Sequence, residues 1–393
     1  VLRGLSDSLR DLCLQSSLFD RMNGPLCDQV LRHSGSALML ENLARQQLFL
    51  MPVERDAGWY RFHPLLRSFL RTRLERETPE LVPVLHRRAA AWFLKAGDFH
   101  QALKHAEASE QPMLLGDALE AAFTLWAREG QFSSILFWEH RLLGSALLQR
   151  TAIAVPLICT LILSGRFDQA RPMLDSFRQS GPGDIAADHH RVLVRFLELY
   201  LELFQDDTRF INRRDYDELI SLSRHYDIYP LSLCMGAYHH LQHARPEQAL
   251  DYARQGKEAL KQSGHHFMAD YAGLIIALCH RSLGRPGEAM RDVEDAWRAM
   301  PAHGATRILR GTAMVVALYD QNQLTEAANL CNDLLPRLNR TSAIEVTATV
   351  YLTYARCLWE TGQTEKATHF LARLEQILEP ARNQRFLSHL LAE

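Results

Sequence analysis

The second part of this chain is a regular alternation of amphipathic helices and short turns. From about Leu81 onward, apolar residues recur three and four positions apart, as expected for helices with one buried face. The turns share a Gly, Ala or Asn in first place, polar residues or Pro after it, and a small or apolar residue in sixth place. A Gly or Asn in the left-handed conformation ends a helix, and a small sixth residue lets two helices approach closely. The turn occurs seven times, at Gly97–Ala102, Gly130–Ile135, Gly165–Ala170, Ala244–Ala249, Gly284–Ala289, Asn322–Ala327 and Gly362–Ala367.

The spacing of these turns predicts a repeat protein. Their sixth residues lie 33, 35, 79, 40, 38 and 40 positions apart, and the spacing of 79 corresponds to two periods with one turn eroded. A fixed period in this range is typical of helical solenoids. We therefore predict an all-α, tetratricopeptide-like superhelix, in which the later units are longer than usual.

The turns also give the register of each helix pair. Counting back seven positions from the turn residue reaches Ala90, Ile158, Ala237, Ala277, Val315 and Ala355, which are positions where the first helix of a pair would touch its partner. Stacked pairs of this kind form a concave groove lined by first helices. Aromatic rings together with Arg and Gln side chains are typical of a specific ligand pocket, although Tyr and Trp at this spacing are also ordinary core residues. The register predicts nine effector-binding groove residues: Tyr238, Gln242, Tyr271, Arg281, Thr312, Tyr319, Thr349, Arg356 and Trp359.

Residues 1–78 do not follow the repeat and instead predict a small winged-helix module. Three helices, a β-hairpin and a closing helix are expected in that order. They fall at Leu5–Leu18, Asn23–Arg32, a third helix from Ser34, strands 48–53 and 59–63 around a turn at 55–58, and Pro64–Glu77. The predicted domains are this module, the first helical hairpins over 79–180, and a tetratricopeptide-like, effector-binding superhelix over 181–393.

Winged helices commonly bind DNA, so the charges of this module are relevant. Basic residues that could contact phosphates are Arg61, Arg67, Arg71, Arg73 and Arg76. Carboxylates are interspersed among them, and the helix at 37–46 offers few side chains that could read bases. We expect a spacer or sensor role and no direct DNA binding by this chain.

Composition and motifs exclude several other functions. With 44 basic and 46 acidic residues, the net charge of −2 gives no signal for nucleic acid or an anionic membrane. The longest apolar run, 152–163, is too short to cross a bilayer. Seven scattered cysteines without a CxxC pair indicate reduced thiols in a cytoplasmic protein. No nucleophile elbow or phosphate loop is present, so an enzyme is not expected.

Histidine pairs occur at 189–190, 239–240 and 265–266, but they do not predict a metal site. Adjacent residues on a helix point about 100° apart and cannot chelate one ion together. His239 and His243 have the right spacing but lack the Glu of a zinc-protease motif, so no metal is predicted.

Several stretches resemble the MalT-like, LuxR-type regulators of the signal-transduction ATPase class. They are Leu18–Asp28, the Ser-Gly-Ser-Ala-Leu-Met-Leu-Glu stretch from Ser34, Trp59–Leu70, Leu85–Phe93 and Gln101–Ala106. The resemblance covers about residues 5–110 and is only architectural beyond them.

The resemblance implies a sensor region cut from a longer regulator. Such regulators run from an ATPase module through a winged helix and repeats to a C-terminal helix-turn-helix. Neither end module is recognisable here, so this chain itself is expected to hold no cofactor, and ATP or ADP is implied only for the full-length protein. By the same resemblance His63 would contact the ADP phosphates, although Pro64 stands where the wider class often has Asp.

The resemblance also implies partners. A small-molecule inducer or a regulatory protein would bind in the repeat groove, and the ATPase and DNA-binding modules of the same chain would respond, with self-association during activation. The alternative is a tetratricopeptide scaffold that mediates protein–protein interaction without a small-molecule ligand.

Overall fold

The computed structural model describes residues 5–45, 50–53, 58–205, 213–298, 304–338, 343–381, 386–387 and 390. Most of these residues are helical, as predicted. The chain divides into two compact units, residues 1–122 and 123–393. The domain boundaries predicted after residues 78 and 180 remain predictions.

The first unit begins with the predicted winged helix. Its elements are α1 (Asp7–Ser16), α2 (Gly24–Leu31), α3 (Ser36–Arg45), β1 (Leu50–Pro52), β2 (Tyr60–Phe62) and α4 (Pro64–Glu77). The strands pair antiparallel with Met51 opposite Arg61. Residues 48–49 of the predicted first strand and residues 55–57 of the predicted turn lie outside the described residues. The order of three helices, hairpin and helix is confirmed.

Local signals explain where these helices begin. The side chain of Ser6 accepts a hydrogen bond from the Leu9 amide at 3.4 Å, and Asn23 accepts one from the Leu26 amide at 2.9 Å. Both are preferred N-cap residues. Pro25 in the first turn of α2 loses no helical hydrogen bond there.

The winged helix shares one core with the first repeat hairpin, α5 (Leu81–Ala96) and α6 (Phe99–Ala108). Phe19, Met22 and Leu70 are fully buried and belong to the same apolar cluster as Leu85 and Phe93 of α5. The two predicted modules are therefore continuous within this unit.

A polar junction around Asp20 joins the same elements. Its carboxylate pairs with Arg67 of α4 at 2.6 Å, accepts a hydrogen bond from Gln101 of α6 at 3.1 Å, and bonds Lys104. Burial raises the pKa of Asp20, but the hydrogen bonds from Lys104 and Gln101 and the charge of Arg67 outweigh it and hold the pKa at about 2. The carboxylate is thus charged at neutral pH and links α4 of the winged helix to α6 of the first repeat hairpin.

The second unit contains the rest of the helical array, and the boundary between the two units falls within α7. The helices are α7 (Pro112–Glu129), α8 (Phe132–Leu136), α9 (Glu139–Leu142), α10 (Thr151–Leu163), α11 (Phe167–Ser180), α12 (Ala187–Gln205), α13 (Arg213–Ser223), α14 (Tyr229–Gln242), α15 (Pro246–Gln262), α16 (His266–Ser282), α17 (Pro286–Arg298), α18 (Ala305–Asp320), α19 (Leu324–Leu334), α20 (Ile344–Glu360) and α21 (Thr364–Ala381).

All seven predicted turns have the expected geometry. Their first residues have positive φ values, from 55° at Ala244 to 78° at Gly362. Each sixth residue of the seven turns is 0 % exposed, and the residues counted back from the turns are at most 3 % exposed. The helix pairs therefore approach at the predicted positions.

Ala244 adopts the left-handed conformation at a turn position where five of the other six turns have Gly. Its φ of 55° is strained for a residue with a Cβ, by about 1–2 kcal/mol, so Ala244→Gly should raise the free energy of unfolding by about 0.5–1 kcal/mol after the greater freedom of Gly in the unfolded chain is subtracted. Urea unfolding measures it. Ala259→Gly, inside α15, should instead lower stability by about 1 kcal/mol. Equal losses for both variants would contradict this assignment.

Candidate functional site

The second unit contains a polar cavity of about 360 Å³, lined by α14, α16, α20 and Phe386. Six of the nine predicted groove residues line this polar cavity: Tyr238, Gln242, Tyr271, Arg281, Thr349 and Arg356. Each comes from the first helix of a pair, as the register predicts. Glu345 and Thr353 of α20 add a carboxylate and a hydroxyl that sequence reasoning missed.

Among the residues that line the polar cavity, Gln242 points most directly to a ligand. Both the Oε1 and the Nε2 of its amide are buried, and neither has a hydrogen-bond partner among the residues that the structure describes. A buried amide without a partner is unfavourable by about 1–3 kcal/mol. The polar cavity therefore presents an amide that can both donate to and accept from a bound molecule.

Arg281, in contrast, already has a partner. Its Nε lies 2.9 Å from both carboxylate oxygens of Asp320 in α18, and its guanidinium carbon lies 5.8 Å from the centre of the Tyr319 ring. These contacts fix the orientation of Arg281 and compensate its charge. Arg281 thus presents oriented N–H groups in the polar cavity rather than a free positive charge.

The other three predicted groove residues do not line the polar cavity. Thr312 is fully buried in α18, and its hydroxyl donates to the Ile308 carbonyl of the same helix at 2.8 Å. Tyr319 supports Arg281 from α18, and Trp359 is 53 % exposed near the end of α20. α18 contributes no described lining residue, so the effector-binding role of these three residues stays a prediction that the polar cavity does not support.

A second, apolar cavity of about 280 Å³ was not predicted. It is lined by α7, α10, α12, α14 and α16, and Tyr238 and Tyr271 line both cavities. Phe196, Tyr200 and Phe204 face it from α12 at intervals of four residues. That stripe was the available sequence signal, but it lies in the period with the eroded turn, where no register could be counted.

The first helices of the second unit help to close this apolar cavity. The ring of Phe132, at the start of α8, packs edge to face on Phe267 at the start of α16, with 4.8 Å between ring centres. Gly130 precedes α8 with a φ of 71°, and a Cβ there would lie only 2.2 Å from Cδ2 of Phe267. The turn between α7 and α8 therefore lies directly against Phe267 at the start of α16.

His63 lies at the start of α4 and is exposed. Its Nδ1 accepts a hydrogen bond from the Leu65 amide at 3.4 Å, which makes it the N-cap of that helix. A helix N-terminus favours anions, so the position is compatible with a phosphate contact. The nucleotide-sensing role of His63 remains a prediction.

Three of the five winged-helix arginines are engaged within the first unit. Arg67 pairs with Asp20, Arg71 with Glu75 at 2.9 Å, and Arg73 with Glu77 at 2.6 Å. These ion pairs neutralise much of the positive charge that would otherwise face a phosphate backbone.

His243 and Cys234 have ordinary surroundings. His243 bonds the His239 carbonyl at 2.9 Å through Nδ1, and no group of three or more metal-ligating side chains occurs in the described part of the chain. All seven cysteines are free, and burial raises the pKa of Cys234 to about 12, so that thiol stays protonated near neutral pH. Within the same residues, no helix is long and apolar enough to cross a membrane.

Comparisons with known proteins agree with the winged helix. The family described as the MalT winged helix domain matches residues 1–82. The HTH-type transcriptional regulator MalT of Klebsiella pneumoniae is 35 % identical over 119 residues, which is 30 % of this chain and 13 % of that protein. MalT of Vibrio cholerae is 34 % identical over 115 residues, 29 % of this chain and 13 % of that protein.

Two further matches cover more of the chain. The serine/threonine-protein kinase PknK of Mycobacterium tuberculosis is 26 % identical over 389 residues, 95 % of this chain and 34 % of that protein. The chain therefore spans about a third of the length of that relative. A solved structure of a signal-transduction ATPase with a tetratricopeptide repeat sensor, from Pyrococcus horikoshii, has a TM-score of 0.49 at 15 % identity and covers 99 % of this chain and 65 % of that one. The resemblance to MalT-like regulators expected from the sequence is confirmed, and residues 1–82 form a winged helix of the MalT type.

Proposed function

We propose that this chain is the signal-sensing region of an ATP-dependent, LuxR-type transcription activator in the cytoplasm, and that a polar small-molecule inducer binds in the polar cavity. One observation carries the proposal: six residues chosen from repeat register alone line a single cavity. Its volume of about 360 Å³ falls within the range of small-molecule pockets, about 300–1,000 Å³.

The chemistry of the polar cavity favours a hydrogen-bonding inducer. The amide of Gln242 has no protein partner among the described residues, and Arg281 is oriented by Asp320. Tyr238 and Tyr271 supply aromatic surface beside these groups. A molecule with several hydroxyl, amide or carboxylate groups and one apolar face would satisfy this set.

The arrangement also suggests how binding would be transmitted. The polar cavity takes its walls from α14, α16 and α20, which belong to different repeats. A ligand that contacts all three favours the curvature in which they approach, and it shifts the equilibrium by its difference in affinity between curvatures. In the whole regulator, the continuous core between the winged helix and the first repeat would pass this change toward a nucleotide site that includes His63. The whole protein would then self-associate and activate transcription, while this chain would itself have no catalytic activity.

A thermal-shift screen of small polar metabolites tests this proposal. A true inducer at about 100 times its Kd adds about 2.7 kcal/mol to the stability of the folded chain, which raises Tm by several degrees. We expect at least one hydrogen-bonding metabolite to produce such a shift. If only a protein partner stabilises the chain and no metabolite does, the proposal is wrong and the scaffold alternative is favoured.

A further inference from the structure

The apolar cavity is physically distinct from the polar cavity and suits a different ligand. Its walls include Val155 and Leu163 of α10, Leu193 and Phe196 of α12, and Met268 of α16. Such walls offer dispersion contacts but few hydrogen bonds, so an occupant must be largely hydrocarbon. At about 30 Å³ for each water-sized group, the cavity of about 280 Å³ holds a chain of roughly eight to ten carbons.

A cationic side chain, that of Arg128, stands on this mainly apolar lining. Arg128, near the end of α7, lines the cavity, and its Nε is buried without a hydrogen-bond partner in the described part of the chain. The Arg128 side chain is half-buried, its guanidinium keeps its proton, and a buried N–H donor that lacks an acceptor is unfavourable. Arg128 would therefore be stabilised by an anion that enters the cavity.

The groups beside Arg128 agree with that reading. His265 also lines the cavity, and its pKa is lowered, first by burial and next by the charge of Arg128. A neutral imidazole near Arg128 can donate a hydrogen bond to a carboxylate. Asp227 lies on the same lining but is exposed, so water solvates it.

We propose that the apolar cavity binds an apolar monocarboxylate, with the hydrocarbon between α10, α12 and α16 and the carboxylate on Arg128. Arg forms two parallel hydrogen bonds with a carboxylate, which gives the ligand a fixed direction. This site is independent of the inducer proposed for the polar cavity. Among the described residues, Tyr238 and Tyr271 alone line both cavities. A substitution of Arg128 therefore tests the apolar cavity, and a substitution of Gln242 tests the polar cavity.

Titration calorimetry with decanoate, decanol and decylamine on the whole chain tests the assignment. Decanoate should bind, decanol should bind about 10- to 100-fold more weakly, and Arg128→Gln should reduce decanoate affinity by a similar factor while leaving decanol unchanged. Arg285→Gln, at an exposed turn residue, and Gln242→Leu, in the polar cavity, should both leave decanoate affinity unchanged.

Other outcomes would overturn the assignment. They are equal affinity for decanoate and decanol, tighter binding of decylamine, decanoate affinity unchanged in Arg128→Gln, or no binding of any of the three. Ala152→Phe, which extends a side chain from the cavity lining, separates this site from the surface, because undiminished decanoate binding by that variant would also contradict it.

Discussion

Gly130→Ala is expected to lower the free energy of unfolding by about 2–5 kcal/mol. Two penalties combine at this position. The φ of 71° is strained for a residue with a Cβ, and the new methyl would lie 2.2 Å from the buried ring of Phe267. The ring cannot move freely, since it packs on Phe132. Urea unfolding followed by circular dichroism measures the loss.

A matched glycine separates the two penalties. Gly284 has a φ of 65° but nothing within 4 Å of an added Cβ, so Gly284→Ala should be destabilising by only about 1 kcal/mol. The difference in destabilisation between the two variants then measures the cost of the contact between the added methyl group and Phe267. Similar losses at both positions would show that this contact is not formed as described.

Arg310→Met is the second change with a large expected effect, a loss of about 3–5 kcal/mol at neutral pH. Arg310 of α18 donates through Nε to Asp270 of α16 at 2.7 Å and through Nη1 to the Ala296 carbonyl at 2.8 Å. Asp270 is 9 % exposed, and its Oδ2 has no hydrogen-bond partner in the described part of the chain. Removing Arg310 would leave this carboxylate buried with only the weaker influence of Lys257 and His266.

The loss should depend on pH in a defined direction. Burial raises the pKa of Asp270 even though Arg310 and Lys257 oppose the shift. An acid with a higher pKa in the folded chain binds protons more readily when folded, so its contribution favours folding at low pH and is lost as pH rises through the folded-state pKa. Without Arg310 that pKa rises further, so the difference in unfolding free energy between wild type and Arg310→Met should shrink as pH falls from neutral and Asp270 becomes protonated.

A double variant provides the control. In Asp270→Asn with Arg310→Met the titrating group is gone, so most of the loss at neutral pH should be recovered and its pH dependence should disappear. A gap that widens as pH falls would contradict the proposed origin of the effect.

Much of the fold was predictable because the signals are local. The helix Pro64–Glu77 was placed with its observed bounds, since His63 and Pro64 mark its start. The seven turns were found from six-residue patterns, and even Ala244 adopts the left-handed conformation that its place in the pattern requires.

The site was only partly predictable because register identifies a helix face but not the curvature of the array. Thr312 and Gln242 are both predicted groove residues, yet only Gln242 lines the polar cavity. The Thr312 hydroxyl donates a hydrogen bond within its own helix. The apolar cavity depends on α7 and α12, which meet through folding of distant segments. The sequence also gives no sign that the Nε of Arg128 is buried without a hydrogen-bond partner among the described residues.

The choice of variant also matters for the proposed function. Replacing Arg281 would leave Asp320 without its ion-pair partner, so lost binding could reflect lost structure. Replacing Tyr271 would alter both cavities. Gln242 is the sharper probe, because Gln242→Leu removes no hydrogen bond between described residues and keeps a similar volume.

The most direct test is therefore the melting temperature of Gln242→Leu with and without a metabolite that stabilises the wild type, beside the exposed α15 control Gln262→Leu. Without ligand, Gln242→Leu should be as stable as the wild type or more stable by about 1 kcal/mol, because a buried amide has been removed. The rise in melting temperature that the metabolite induces in the wild type should disappear in this variant. Gln262→Leu should keep the full shift. A Gln242→Leu variant that unfolds earlier than the wild type yet retains the full ligand-induced shift would contradict the polar cavity as the signal-binding site.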